Sequence, residues 1–315
     1  MSHLPFSGVM TAIITPFLLN GEIDFNSFEK IILKQKKSGI NGIIVLGTTG
    51  ENVTLSDDES EALVLKALDY QENSFHIYVG TGTNYTKSTI EKSIKFANIK
   101  GKNNSKPNGI MLVTPYYNKP SQSCLIKHFS EVSKLVKDTA VCIYNVPSRT
   151  GITIQPSTLA KIVEENSNIV AIKEAAGNLN SIVEMRNILN LNKKHDVRIL
   201  SGDDATYAPA LLCGADGVIS VTSHIIPKTL LKIRECFFNG KILEAQKLHL
   251  ATYCINNGIF ALPNPIGVKG MLAFLGECQN ILRAPLYPAE QHEDELLRGI
   301  LKQLKQNNIP DEILI

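Results

Sequence analysis

None of the six cysteines, Cys124, Cys142, Cys213, Cys236, Cys254 and Cys278, falls in a CxxC pair. Disulfide frameworks belong to short secreted chains, and these thiols are scattered over a long one. Free thiols in a reducing, cytoplasmic compartment are expected, each acting as a small buried hydrophobe. The seven histidines show neither HExxH nor a Cys/His spacing, so no metal and no cofactor is expected. With 21 glycines and 14 prolines in 315 residues, the chain is neither collagen-like nor of low complexity. Charge of one sign is also missing: Lys+Arg 32 against Asp+Glu 30 leaves +2, which gives no electrostatic case for nucleic acid or an anionic membrane. No stretch of ~18 charge-free apolar residues occurs, so no membrane-spanning helix is expected. The opening MSHLPFSGVMTAIITPF lacks the basic then apolar pattern of a signal peptide. Nucleotide fingerprints are absent too. GTGTNY at Gly80 lacks the third glycine of GxGxxG, and no GxxxxGK[ST] appears.

What is present is a repeated alternation. Hydrophobic residues make up 43% and charged residues 20%, as in a soluble globular chain. The length allows two ordinary domains or one large α/β barrel with an appendage. Eight apolar, β-branched runs recur: GVMTAIIT from Gly8, GIIVLG from Gly42, FHIYVG from Phe75, GIMLVT from Gly109, AVCIYN from Ala140, IVAIK from Ile169, VRILSG from Val197 and GVISVT from Gly217. Each is near the usual strand length and continuously apolar, as parallel strands buried on both faces require.

Helical patterns lie between them. Ser56 with Glu59 forms a capping-box signature ahead of the stripe Ala62, Leu63, Leu65 and Ala67. Further patterns start at Thr86 and at Thr158, the latter with Pro156 near the helix start, and DDATYAPALLCG stops at Gly214. Eight alternations predict an α/β fold, a (β/α)8 TIM barrel with a C-terminal helical appendage. The barrel is expected over residues 1–235, closing near Thr222, with the helical region over 236–315. The polar segment Lys100–Gly109 reads as a surface loop.

In such a barrel, functional residues gather where the strands end. Strand six ends in Lys173. By alternation Val170 and Ile172 face one side, and Ile169, Ala171 and Lys173 the other. Desolvation favours a neutral amine, which can attack a carbonyl to form a Schiff base. The other reading is an ammonium paired with Glu174 or another rim carboxylate. Tyr144, ending strand five, is either a proton relay or a core tyrosine with a satisfied hydroxyl. Thr48 and Thr49, between Gly47 and Gly50, either offer hydroxyls to a carboxylate or belong to a turn needing flexible glycines. Arg149, after Pro147, is either a bidentate carboxylate reader or a solvated surface arginine. Asp203 and Asp204 read as helix N-caps.

Taken together, GTTGE, TPYYNKPSQ, YNVPSRTG, IKEAAGN, LSGDDA and GVISVT resemble the dihydrodipicolinate synthase family, within the pyruvate-dependent class I aldolases. The resemblance runs from VMTAIITPF to PNPIGVKGML. It implies a lyase of diaminopimelate and lysine biosynthesis that condenses pyruvate with aspartate 4-semialdehyde through a Schiff base on Lys173. It also implies that Tyr144, Thr48 and Tyr117 relay protons, with Tyr117 reaching in from a neighbouring subunit of a homo-oligomer, a dimer of dimers. Thr49, Gly202 and the backbone at Ile219 would bound pyruvate, and Arg149 would hold the semialdehyde carboxylate. An aldolase for a sugar-derived 2-oxo acid is opposed by Arg149, since a sugar chain carries hydroxyls there. A 2-oxo-acid-binding protein without turnover is opposed by Lys173, Tyr144 and Thr48.

The resemblance also implies a departure. Family members inhibited by lysine bind it at positions matching Asn52, Val53, Asp57, Ser60, Asn84, Ser88 and Tyr116. Asn84 and Tyr116 are kept, but a glutamate position is Ser88 and a histidine position is Ser60. Losing the carboxylate's charge-assisted bond to the effector's ammonium costs roughly 1.5–3 kcal/mol. Weak or absent inhibition by lysine is therefore expected. A steady-state titration checks it, and half-inhibition at submillimolar lysine would contradict it.

Overall fold

A computed structural model describes residues 5–312. Its strands are β1 (Gly8–Ala12), β2 (Gly42–Val45), β3 (His76–Gly80), β4 (Gly109–Val113), β5 (Val141–Asn145), β6 (Ile169–Glu174), β7 (Arg198–Ser201) and β8 (Gly217–Ser220). They hydrogen-bond in chain order into a closed barrel, and the paired strands are parallel. The helices up to β8 are α1 (Phe25–Lys37), α2 (Asp57–Leu68), α3 (Thr86–Asn98), α4 (Gln122–Leu135), α5 (Pro147–Thr150), α6 (Pro156–Glu165), α7 (Leu179–Leu191) and α8 (Tyr207–Leu212). Then follow α9 (Pro227–Phe238), α10 (Ile242–Ala251), α11 (Tyr253–Gly258), α12 (Ile266–Phe274) and α13 (Gln291–Gln306). Among the described residues no strand follows β8. The fold is the expected (β/α)8 barrel with C-terminal helices.

The chain gathers into two compact units. One comprises residues 5–8 with His76–Ile219. Its core joins the outward residues of the strands, such as Ile110, Leu112, Ile143 and Ile172, to helix residues such as Leu125, Phe129, Leu159 and Ile182. The other comprises Val9–Phe75 with residues 220–312. There α13 packs on α11 and α12, burying Leu297, Leu301 and Leu304.

Local signals in the sequence explain several boundaries. Ser56 Oγ accepts from Glu59 N at 3.1 Å, and Glu59 Oε2 accepts from Ser56 N at 2.9 Å, which is the reciprocal capping box. Pro156 opens α6, and Gly214, at φ +101°, follows α8 as a left-handed stop. Lys100–Gly109 is largely a surface loop: Lys102, Asn103 and Asn104 are exposed. Asn108 rejoins the ladder, where its side chain accepts from Ile77 N at 2.9 Å.

Two expectations need correction. Cys124, on α4, is exposed rather than buried, and Cys213, Cys254 and Cys278 are half-buried, while Cys142 and Cys236 are buried as expected. The simple alternation along β6 also fails at its start. The register pairs Val141 with Ile169 but Cys142 with Ala171, so Val170 is an inserted residue, a β-bulge. The bulge turns Ile169 into the helix-side core together with Ile172. Ala171 and Lys173 keep the opposite face.

Histidine 224 ties the segment after β1 to the turn after β8. Its Nδ1–H donates to Val221 O at 2.8 Å, and its Nε2 accepts from Ile14 N at 3.2 Å. Full burial pushes its pKa from 6.5 down to about 4. Between those values the unfolded chain carries a proton that the folded chain refuses, so stability falls as pH drops from 6.5 toward about 4. Urea titrations across that window should show the fall. His224→Gln should show a shallower one, with the remainder due in part to His128, also lowered to about 4 by burial.

Candidate active site

The end of β6 places Lys173 against Tyr144. Register puts Tyr144 of β5 beside Lys173, and Asn145 beside Glu174. Successive strand residues point to opposite faces, so these two cross-strand pairs serve opposite sides of the sheet. Lys173 is 5% exposed, and its Nζ lies 4.2 Å from the Tyr144 ring centroid. The electron-rich ring face accommodates an ammonium without fixing it in a carboxylate bond.

Glu174 does not pair with it. Its Oε2 accepts from Asn145 Nδ2 at 2.8 Å and its Oε1 from Ala176 N at 2.9 Å. Burial pushes this carboxyl group above its usual pKa. Among the described residues Lys173 forms no ion pair. The reading of Lys173 as an ammonium held by Glu174 is thereby removed.

Gly202, just past β7, presses on the same lysine. A Cβ there would stand 2.9 Å from Lys173 Cε and 2.5 Å from Ala175 Cβ. Asp203 caps the following turn: it accepts from Ala205 N at 3.2 Å and from Thr206 Oγ1 at 2.7 Å. Asp204 is not the cap; it is buried in the turn's first position. Ile219 sits buried in β8. Arg149 lies exposed on the short helix α5 rather than in an irregular loop.

Tyr117, after β4, faces solvent. It is 90% exposed and holds φ +71°, a strained setting for a side chain of that size.

In the other unit, Thr48 and Thr49 open a 3-10 turn after β2, with Thr49 buried. The turn does not rely on glycine flexibility. Gly47 has φ −78°, and the left-handed positions are Leu46 and Glu51 at +58° and +51°. Asn264 Nδ2 donates to Thr49 Oγ1 at 2.9 Å, which leaves the Thr49 hydroxyl hydrogen available to a ligand.

Glu51 anchors the turn. Lys269 Nζ is 2.5 Å from its Oε1, and Arg283 N donates to its Oε2 at 3.0 Å. Arg283 also pairs with Glu59, holding that carboxyl at about 2. Phe17 lies under both cations, 4.2 Å from Lys269 Nζ and 4.4 Å from the Arg283 guanidinium. Asn264, Lys269 and Arg283 were not anticipated. Lys269 had a signal, a lone lysine inside the apolar run IGVKGMLAFLG. Asn264 had none.

A parallel barrel with a buried, carboxylate-free lysine at the end of β6 defines a protein of the class I aldolase type. The chain matches the dihydrodipicolinate synthetase family over residues 5–304, and it belongs to that family. It is 40% identical over 298 residues to the 4-hydroxy-tetrahydrodipicolinate synthase of Thermotoga neapolitana, covering 95% of this chain and 98% of that one. The structure of dihydrodipicolinate synthase from Thermotoga maritima matches at TM-score 0.89 and 37% identity, over 96% of this chain and 99% of that chain. The chloride-inhibited enzyme from Acinetobacter baumannii, complexed with pyruvate, matches at TM-score 0.87 and 34% identity, over 95% of this chain and 98% of that chain.

Gly202→Ala should displace the Lys173 side chain. Because misplacement by about 1 Å can cost roughly a hundredfold, a fall of roughly ten- to a hundredfold in turnover is expected. Steady-state rates check it, and near-normal turnover would show that Lys173 tolerates the shift.

Proposed function

We propose that the chain condenses pyruvate with L-aspartate 4-semialdehyde to give 4-hydroxy-tetrahydrodipicolinate, through a Schiff base on Lys173. The carrying observation is the buried Lys173, lying on the Tyr144 ring without a carboxylate partner, in a chain that belongs to the family over nearly its whole length. The names of its relatives support the same reaction, and the pyruvate complex of one relative supports the first substrate.

Lys173 Nζ attacks the keto carbon of pyruvate, and water leaves. The imine loses a methyl proton and becomes an enamine. The enamine carbon attacks the semialdehyde's aldehyde. The substrate amine then attacks the imine carbon and releases Lys173, closing the ring. Tyr144, next to the amine, takes and returns protons, and Thr48 and Tyr117 complete the relay. Thr49, Gly202 and the backbone of Ile219 bound the pyruvate. Arg149 binds the semialdehyde's carboxylate by a charge-assisted pair. The outward Tyr117, strained and solvent-facing in its own chain, completes a neighbour's site in a homo-oligomer, which the proposal takes to be a dimer of dimers. Among the described residues no helix is long and apolar enough to cross a membrane. As part of the same proposal, the reaction runs in the cytoplasm, toward diaminopimelate and lysine.

Borohydride reduction with pyruvate, followed by peptide mapping, should find the adduct on Lys173 alone, and Lys173→Ala should show none. An assay with aspartate 4-semialdehyde should proceed, while N-acetylmannosamine in its place should not. An adduct on another lysine would remove the proposed chemistry.

A further inference from the structure

We propose that Asn145, Glu174 and Thr153 form a clamp that positions Arg149 and so sets selectivity for the second substrate. The proposal rests on the reading of Arg149 as the semialdehyde's carboxylate ligand. Asn145 ends β5, and the segment carrying Arg149 leaves from it and returns beside it. The Asn145 side chain fastens the return. Its Oδ1 accepts from Ile154 N at 3.0 Å, and its Nδ2 donates to Thr153 Oγ1 at 3.1 Å. The same Nδ2 donates to Glu174 Oε2 at 2.8 Å, which fixes which way the amide faces. Glu174 is itself held by Ala176 N, so the clamp is anchored in β6, one residue beyond Lys173. From α4, Gln122 Nε2 donates to Thr153 O at 2.9 Å, steadying the far side. Arg149 N in turn bonds Val146 O at 2.9 Å, which builds the turn onto the clamped end. The register thus sets the clamp pair directly after the pair that carries the chemistry, on the opposite face. It can fix Arg149 without touching pyruvate.

The test measures KM for each substrate. Glu174→Gln keeps the shape but can accept only one of the two N–H bonds, because its amide nitrogen must face the other. KM for the semialdehyde should rise roughly tenfold, with pyruvate KM and the borohydride-trapping rate within about twofold. Thr153→Val, at an exposed position, should act in the same direction and keeps the test open should the buried variant misfold. In an Arg149→Ala background both changes should add little, since they act through Arg149. Parallel loss for both substrates, or full additivity with Arg149→Ala, would overturn the clamp. An effect of Arg149→Ala with silent clamp variants would overturn the clamp alone. A silent Arg149→Ala would overturn the arginine reading and the clamp with it.

Discussion

A closed ladder of parallel strands has no edge and no solvated face. Backbone groups are satisfied strand to strand, and both faces must be apolar. That constraint accounts for the continuous apolar runs in the sequence. It also pushes polar chemistry to the strand ends, where the ladder stops. Tyr144, Lys173, Asn145 and Glu174 all lie at or next to the last residue of their strands. Being neighbours across one pair of strands, they inherit their spacing from the register and not from loop conformation. A site built this way is rigid because the barrel is, and groups held in place before a substrate arrives can be worth several kcal/mol in catalysis.

The same constraint explains the buried ion pair of the other unit. Glu51 follows β2 in a left-handed conformation and is almost wholly buried. A carboxylate there is tolerable only with a full set of donors, and α12 supplies a lysine while the segment after it supplies a backbone N–H. Removing one member of such a buried pair typically costs about 3–5 kcal/mol, because the survivor keeps its desolvation penalty. The C-terminal helices therefore do more than cover apolar surface. Through Glu51 and through Asn264 on Thr49, they hold the turn that carries the two threonines.

The barrel was legible in the sequence because its signal is periodic. Eight runs with capped helices between them need no long-range information, and all eight strand starts fall on or within one residue of the expected position. Lys173 was legible for a related reason, since a charge closing an apolar run is conspicuous. What escaped depends on contacts between distant segments. The bulge at Val170 cannot be seen in β6 alone, because it exists only relative to β5. Asn264 reaches Thr49 across more than two hundred residues, and its local sequence, PNP, announces only a turn. Asn145 reads as one more strand-ending polar residue until the return of the chain at Thr153 and Ile154 is known.

Two buried lysines in one chain show how partners decide chemistry. Both are desolvated: Lys269 is 0% exposed and Lys173 5%. Lys269 donates to the carbonyl of Ile281 at 2.8 Å and lies 2.5 Å from Glu51, with an aromatic face beneath it. Burial lowers its pKa, and the Glu51 charge opposes that shift, so attack on a carbonyl would require breaking bonds already made. Lys173 has the aromatic face but not the carboxylate, which on its strand is turned to the opposite side and bound to Asn145. The difference follows from alternation along β6. Placing the acid one residue after the amine keeps it close in sequence but on the other face, so Glu174 holds Asn145 and Ala176 N and leaves Lys173 without a carboxylate partner.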